Sequence, residues 1–289
     1  MKLLILGANG LLGNTIIRYF FKKKEYQTYG LIKNSSFIKS FDTKFKNQFF
    51  IVKNILNYKL LDNKIKNIRP DLIINCIGIT NKYINNQIDY AERYININSL
   101  FPHKLYQICS NRKVRLIHLS SDCVFSGDKG FYSEEDHPDP KDIYGRSKLL
   151  GELDFENCIT LRKSVIGHEL ITKNGLLEWF LGRKNQVQGY KNAFFSGLTV
   201  LELAKIIDLY IIPREKLQGI FHVAGNTISK YDLLKIISSE YQKHINIIPN
   251  ESIRIDRSLN SNFFNNMTGY QSKSWQSLVK SMCEFDSLN

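Results

Sequence analysis

The sequence predicts an α/β fold: a doubly wound parallel sheet with helices on both faces. Three observations carry that expectation. Short aliphatic runs bounded by turn residues alternate with helix-period stretches along the first 120 residues. The runs are apolar at consecutive positions, as in strands buried on both faces. Glycines crowd the step from the first run into the first helix.

The first run, KLLILG (2–7), is a strand, and a helix period follows over 11–23. QTYGLI (27–32) and FFIV (49–52) are the next strands. Between them KNSSFIKSFDTKFKNQ (33–48) is polar and reads as a loop with one short helix. A helix over 57–67 leads to the strand DLIINCIG (71–78), and a long helix over 87–110 leads to VRLIHLS (114–120). DIYGRSKLLGELDF (142–155) reads as an amphipathic helix. Beyond residue 160 the alternation weakens. ELAKIIDLYII (202–212) is a helix and GIFHVAG (219–225) a strand. SKYDLLKIISSEYQKH (229–244) is a helix opened by a serine cap, and KSWQSLVKSMCEF (273–285) a last amphipathic helix. The second part is therefore expected to be a smaller, mostly helical C-terminal lobe.

Composition narrows the function classes. With 43% hydrophobic and 12% aromatic residues, the 289-residue chain can bury a sizeable core and is not a disordered one. No apolar run approaches the ~18 residues of a spanning helix, so no membrane partner is expected. The apolar start LLIL breaks at Gly7, short of the ~7–15 residues of a secretory leader, so none is expected. Cys76, Cys109, Cys123, Cys158 and Cys283 are scattered, without a Cys-x-x-Cys pair. That argues against a disulfide framework and a structural zinc, and fits a reducing cytoplasm. The six histidines show no metal-ligand spacing, and His118, inside a strand, reads as core. The net charge of +13 is dispersed, with one run at Lys22–Lys24. A nucleic-acid surface clusters its charge on one face, so no nucleic acid is expected.

In LILGANGLLGNTI the glycines Gly7, Gly10 and Gly13 follow the first strand and open the first helix. Glycine there allows a tight turn and close backbone approach to a pyrophosphate resting at the helix N-terminus. The segment from Gly7 through Asn9, Gly10, Leu11, Leu12 and Gly13 is the expected dinucleotide cradle, which makes the sheet Rossmann-type. An acid at the end of the second strand would favour NAD; here stands Lys33, suited to a 2′-phosphate. NADP(H) is therefore favoured over NAD(H), the plain alternative being a solvated lysine. Tyr144 and Lys148 lie four residues apart, on one helix face.

With the glycine triplet, LSSD and this Tyr/Lys pair, the chain resembles the extended short-chain dehydrogenase/reductases. Within them it is most similar to the dTDP-4-dehydrorhamnose reductase group of nucleotide-sugar reductases. GANGLLG, VKNI, RPDLIINCIGIT, ININSLFPHKL, HLSSDCVFSG, YGRSKLLGE and LRKSVIG occur in the family's order and spacing. The resemblance implies a catalytic set of Ser121, Tyr144 and Lys148, with Asn98 in the preceding helix. It implies cofactor contacts at Cys76, Ile77 and Gly78, at Asn98, Tyr144 and Lys148, and at Asn54 and Ile55 beside the adenine. Most relatives have Asp where Asn54 stands. Ser121, Asp122 and Cys123 would meet the substrate. Residues 1–165 would bind NADP(H), with 196–225 returning to that domain, and 166–195 and 226–289 would form the substrate lobe.

The chemistry gives each of these residues a reason. Hydride reduction of a ketone leaves an alkoxide that needs a proton, and a free tyrosine, with a pKa near ~10, is a sluggish acid at neutral pH. A neighbouring ammonium favours the phenolate, and Lys148 is placed for that while holding the ribose hydroxyls. Ser121 would donate to the carbonyl oxygen. The bland alternatives are a turn hydroxyl for Ser121 and a half-buried aromatic for Tyr144. The superfamily's dehydratases carry Thr-Asp-Glu, and Cys123 cannot replace that glutamate, so elimination is disfavoured. Rhamnose-type reductases usually place tyrosine at Cys123 and tryptophan at Val165, so the sugar pocket differs. Arg162 and Arg257 are candidates for substrate phosphates or for structural ion pairs. Trp179 and Phe180 read as lobe core. The expected activity is NADPH-dependent reduction of a nucleotide-activated 4-keto-deoxyhexose for cell-surface polysaccharide precursors. The rivals are a nucleotide-sugar epimerase with tightly bound NAD and a non-catalytic NADP-binding regulator. A homodimer is left open.

Overall fold

The computed structural model describes residues 1–80, 87–170 and 174–287. Its elements begin with β1 (Lys2–Leu6), α1 (Leu11–Phe21), β2 (Gln27–Ile32), β3 (Phe49–Ile51), α2 (Tyr58–Ile68) and β4 (Leu72–Asn75). They continue with α3 (Gln87–Tyr94), α4 (Phe101–Asn111), β5 (Arg115–Leu119), α5 (Ile143–Leu150), β6 (Cys158–Arg162), β7 (Val165–Ile166) and α6 (Leu176–Leu181). The remainder are β8 (Gln186–Phe195), β9 (Leu198–Thr199), α7 (Val200–Ile206), β10 (Gly219–His222), β11 (Ile228–Ser229), α8 (Lys230–Glu240), β12 (Asn246–Asp256), α9 (Asn262–Thr268) and α10 (Trp275–Ser287).

The seven-stranded sheet runs β3–β2–β1–β4–β5–β6–β10, and its winding in both directions from β1 is that of the doubly wound class the alternation predicts. From β3 through β6 neighbouring strands pair in parallel, with Leu4 aligned to Tyr29 on one side and Ile73 on the other. The order reverses between β1 and β4, which is where such sheets place ligands, beyond the strands' carboxyl ends. Leu3 to Leu6 are all fully buried, as are Ile73, Ile74, Leu116 and Ile117. Consecutive burial of this kind requires cover on both faces, and each such side chain contributes roughly 1.5–3 kcal/mol on burial.

Local signals set several helix limits. The Asn57 side chain accepts from Leu60 N–H at the start of α2, whose end is a left-handed Arg69 followed by Pro70. Thr199 and Ser229 cap α7 and α8 in the same way. The long helix expected over 87–110 is not uniform: a π-helical segment, Ile95–Leu100, separates α3 from α4. Residues 33–48 form two 3₁₀ turns rather than one short helix.

The chain divides into two compact units. The first comprises Met1–Ser120, Asp142–Leu161 and Arg214–Ile220; the second comprises Ser121–Lys141, Arg162–Pro213 and Phe221–Asn289.

The second unit holds two long strands that the sequence reading did not contain. β8 pairs in parallel with β12 and antiparallel with β11. Burial along β8 does alternate, at Val187, Gly189, Ala193 and Phe195. Two of those four positions are glycine and alanine, so the hydrophobic period is muted. In β12, Pro249 and a register break between Asn250 and Arg254 obscure the pattern further.

Candidate active site

β1 hands the chain to a turn held mostly by main chain, with the Asn14 amide donating to Gly10 O at 2.9 Å and Leu11 O at 3.0 Å. Gly7 has φ +71°, and a Cβ there would lie 3.0 Å from Ile77 Cγ1 and 3.3 Å from Ile77 N. The N–H groups of Gly7 and Ala8 both donate to Leu31 O, at 3.0 and 3.1 Å, and Gly10 N–H donates to Gly7 O at 2.9 Å. A Cβ on Gly13 would fall 2.1 Å from Gly7 O, so the first turn of α1 sits on the loop more closely than any side chain permits. Gly10 is the N-cap, without a side-chain cap, and the first turn of α1 carries no acid. An uncapped helix start presents N–H donors and a partial positive charge, which fits a diphosphate. Gly10 is exposed there, and Asn9, Leu11 and Leu12 are half-buried.

The loop after β4 adjoins this turn. Cys76 N–H donates to Leu6 O at 3.1 Å, and Asn75 Oδ1 takes the N–H of Ile77 at 3.1 Å. Cys76 and Ile77 are half-buried and Gly78 is exposed. Asn75 also meets His118 Nδ1 at 3.1 Å, and both are fully buried, so His118 is a core residue.

Asn98 lies in the π-helical segment with 1% exposure. Its Oδ1 accepts from Ile79 N–H at 2.9 Å, and its Nδ2 donates to Ile79 O at 3.0 Å and to Ser147 Oγ at 3.1 Å. One amide thus binds the β4 loop to α5. Ser99 Oγ adds a bond to Ser147 O at 2.8 Å. Gly151 lets α5 close on this segment, since a Cβ there would lie 1.8 Å from Asn98 O. Neither Ser147 nor Ile79 figured among the sequence candidates, because a bridging hydroxyl and a backbone amide leave no motif.

α5 starts at Asp142, whose Oδ1 accepts from Gly145 N–H at 2.7 Å. Tyr144 and Lys148 are one turn apart on it. Tyr144 is half-buried and packs edge-on against Tyr94, with ring centroids 6.2 Å apart. Lys148 is only 4% exposed, and its ammonium donates to Leu119 O, the end of β5, at 2.8 Å. A buried ammonium needs such acceptors.

Two residues further along the chain, Ser121 begins the second unit as the N-cap of a 3₁₀ turn, Asp122–Val124. Its Oγ accepts from Cys123 N–H at 3.1 Å and donates to Asp122 Oδ1 at 3.1 Å. Cys123 Sγ reaches Asp122 Oδ1 at 3.6 Å and receives Arg257 Nη1 at 3.9 Å. Arg257 Nε also donates to Phe125 O at 3.0 Å. Arg162, the other candidate for phosphates, is 5% exposed and turned inward on Phe125 and His222.

Three cofactor candidates lie beyond strand ends of the first unit. Lys33 is exposed just beyond β2. Asn54 is exposed after β3, and its Oδ1 is engaged in a local turn with Leu56 N–H at 3.0 Å; Ile55 packs on the core. Among the described residues no cluster of histidine, cysteine and carboxylate side chains suits a metal ion, and no helix is long and apolar enough to cross a membrane.

Comparison with known proteins agrees with this architecture. A probable low-salt glycan biosynthesis reductase from Haloferax volcanii is 33% identical over 153 residues, 53% of this chain and 48% of that protein. The matched stretch is thus about half the length of that curated relative. A spore coat polysaccharide biosynthesis protein from Bacillus subtilis is 26% identical over 252 residues, 83% of this chain and 79% of that one. A crystal structure of dTDP-4-dehydrorhamnose reductase from Bacillus anthracis, in complex with NADP, superimposes with a TM-score of 0.78 at 22% identity, covering 97% and 98% of the two chains. The model of the RmlD substrate binding domain family matches residues 1–286, end to end through both units, and the chain belongs to that family.

Proposed function

We propose that the protein is an NADPH-dependent reductase of a nucleotide-activated 4-keto-deoxyhexose, acting in the synthesis of cell-surface polysaccharide precursors. The observation that carries the reading is α5 itself. It sets a phenol one turn from a lysine that is buried and bonded to the end of β5.

The diphosphate of the dinucleotide would rest on the Gly7–Gly13 turn, and Lys33 would meet a 2′-phosphate. Cys76, Ile77 and Gly78 would line the cofactor, with Asn98 holding their loop in place. When bound, NADPH supplies the hydride to the keto carbon. Tyr144 gives its phenolic proton to the oxygen as charge develops there. Lys148 stabilises the phenolate left behind and donates to the ribose hydroxyls. Ser121 turns its O–H from Asp122 to the substrate oxygen, and Asp122 is then released to accept from a sugar hydroxyl. Cys123 at the third position of this turn supports reduction over dehydration. The NADP complex of the Bacillus anthracis reductase and the reductase name of the Haloferax relative support the same chemistry.

The test is a panel of nucleotide 4-keto sugars incubated with NADPH or NADH, following the nicotinamide absorbance and the sugar product. The expected outcome is stoichiometric oxidation of NADPH. Tyr144→Phe is expected to slow turnover by roughly 10²–10⁴-fold while binding NADPH normally. An undiminished rate, or sugar inversion with no net NADPH consumption, would refute the reading.

A further inference from the structure

The serine turn is steadied from outside its own segment, by two residues at the ends of adjacent strands. Arg162 closes β6 and His222 closes β10, and the two strands are neighbours in the sheet. Both residues are buried, His222 completely and Arg162 to 5% exposure. Arg162 Nη1 donates to His222 Nε2 at 3.2 Å, while the guanidinium carbon lies 5.3 Å from the centroid of Phe125. The other ring nitrogen of His222, Nδ1, donates to Tyr132 O at 2.9 Å. These two bonds fix the tautomer: the proton is on Nδ1, and Nε2 is a bare acceptor facing an arginine.

The same histidine grips the segment Ser121–Lys141 at further points. Its main-chain N–H donates to Glu134 Oε1 at 2.7 Å. Its ring meets Phe125 edge-on at 5.5 Å, and Phe125 is stacked on Tyr132 at 4.3 Å. Phe125 therefore meets the Arg162 guanidinium, the His222 ring and the Tyr132 ring. Its N–H donates to Asp122 O at 3.1 Å, closing the 3₁₀ turn that Ser121 caps. Asp122 N–H in turn donates to Lys163 O at 3.1 Å, so the chain beyond Arg162 also holds the turn.

We propose that Arg162 and His222 are positioning residues that act through Phe125 to fix the Ser121–Asp122 turn in its reactive geometry. This rests on the reductase reading above. The guanidinium suits the task because it is planar: it stacks on a ring and donates within its own plane, which a lysine ammonium cannot do together. Misplacing a reacting group by about 1 Å costs roughly a hundredfold in rate.

The experiment is a double-mutant cycle on the full chain with dTDP-4-dehydrorhamnose and NADPH as probes. Arg162→Lys is expected to lower kcat by roughly ten- to a hundredfold, with NADPH affinity unchanged within about twofold. In a Ser121→Ala background the same change is expected to have no further effect on kcat, since the residue it positions is gone. A purely structural role would lower the folded fraction and leave the two effects multiplicative. Should Arg162→Lys fail to fold, Phe125→Leu runs the same cycle, because it removes the stacked ring and leaves the Arg162–His222 bond. Wild-type kcat in both variants, or multiplicative effects, overturns the proposal. Undiminished turnover of Ser121→Ala and Tyr144→Phe would instead overturn the reductase reading.

Discussion

The turn after β1 is held by backbone contact and by Asn14 of its own helix, whereas the turn after β5 is held by side chains from distant parts of the sequence. In the first, Gly7, Gly10 and Gly13 bring backbone against backbone, and the anchoring acceptor is Leu31 O. In the second, Ser121 caps its own turn, and Phe125 behind it is gripped by Arg162, His222, Tyr132 and Arg257. The difference teaches what each turn is suited to do. A backbone cradle presents N–H donors in a fixed array to an anion, and nothing in it titrates. A hydroxyl must be aimed, and aiming it calls on packed side chains, one of which titrates.

The largest expected effect breaks the first turn. Gly13→Ala places a methyl 2.1 Å from Gly7 O, against backbone that cannot yield. We expect a stability loss of about 3 kcal/mol or more and no measurable NADPH binding by calorimetry, whereas Ser121→Ala should bind NADPH normally. A Gly13→Ala protein that bound NADPH normally would show that the close approach is not needed.

The next effect belongs to the second turn alone and appears with pH. Burial, and then the Arg162 charge, push the His222 pKa down to about 4. Hydrogen bonding of its ring to the main chain at Tyr132 and Asn260 opposes this, as does the Asp136 carboxylate. Glu134, beside it, has its own pKa raised by burial. An unfolded histidine titrates near ~6.5, so between 6.5 and about 4 the unfolded chain binds the extra proton. The stability from neutral His222 is therefore fully present above pH 6.5 and lost as pH falls towards 4, about 3 kcal/mol in all. Urea unfolding at a series of pH values should show the slope, and His222→Gln should flatten it.

Asn98→Ala sharpens the comparison from the side of the first unit. It strips three hydrogen bonds, to the half-buried Ile79 N–H and O and to the buried Ser147 Oγ. A loss of roughly 1–3 kcal/mol in thermal unfolding is expected. The smallest effect is Asp142→Ala, which removes the cap of α5 and should cost about 1 kcal/mol while leaving Tyr144 in place.

The same contrast decides how much was legible before the structure. The doubly wound parallel sheet followed from aliphatic runs and helix periods, and the tight glycine turn before α1 from a local spacing, because both are written in contiguous residues. Tyr144 and Lys148 were placed on one helix face by their spacing, and the helix is there. The grip on Phe125 was not legible, since His222 and Arg162 are sixty residues apart and meet only because β6 and β10 are adjacent. β8 and β12 were missed for a local reason: Gly189, Ala193 and Pro249 stand where a hydrophobic alternation would have announced them.

The π-helical stretch between α3 and α4 bears on how this family can vary in length. An α-helix advances about 100° per residue, and a π turn absorbs an added residue without passing that rotation on. Removing one amino acid between Ile95 and Leu100 would let the winding become regular with the side chains beyond the cut keeping their facing, whereas the same deletion in a regular helix would swing them by roughly 100°. Substitutions at the exposed Ile95 and Leu100 leave that phase untouched. What must be kept there is Asn98 and Ser99, whose bonds to Ile79 and Ser147 tie the stretch to its neighbours, while a single-residue change of length can be taken up by the winding.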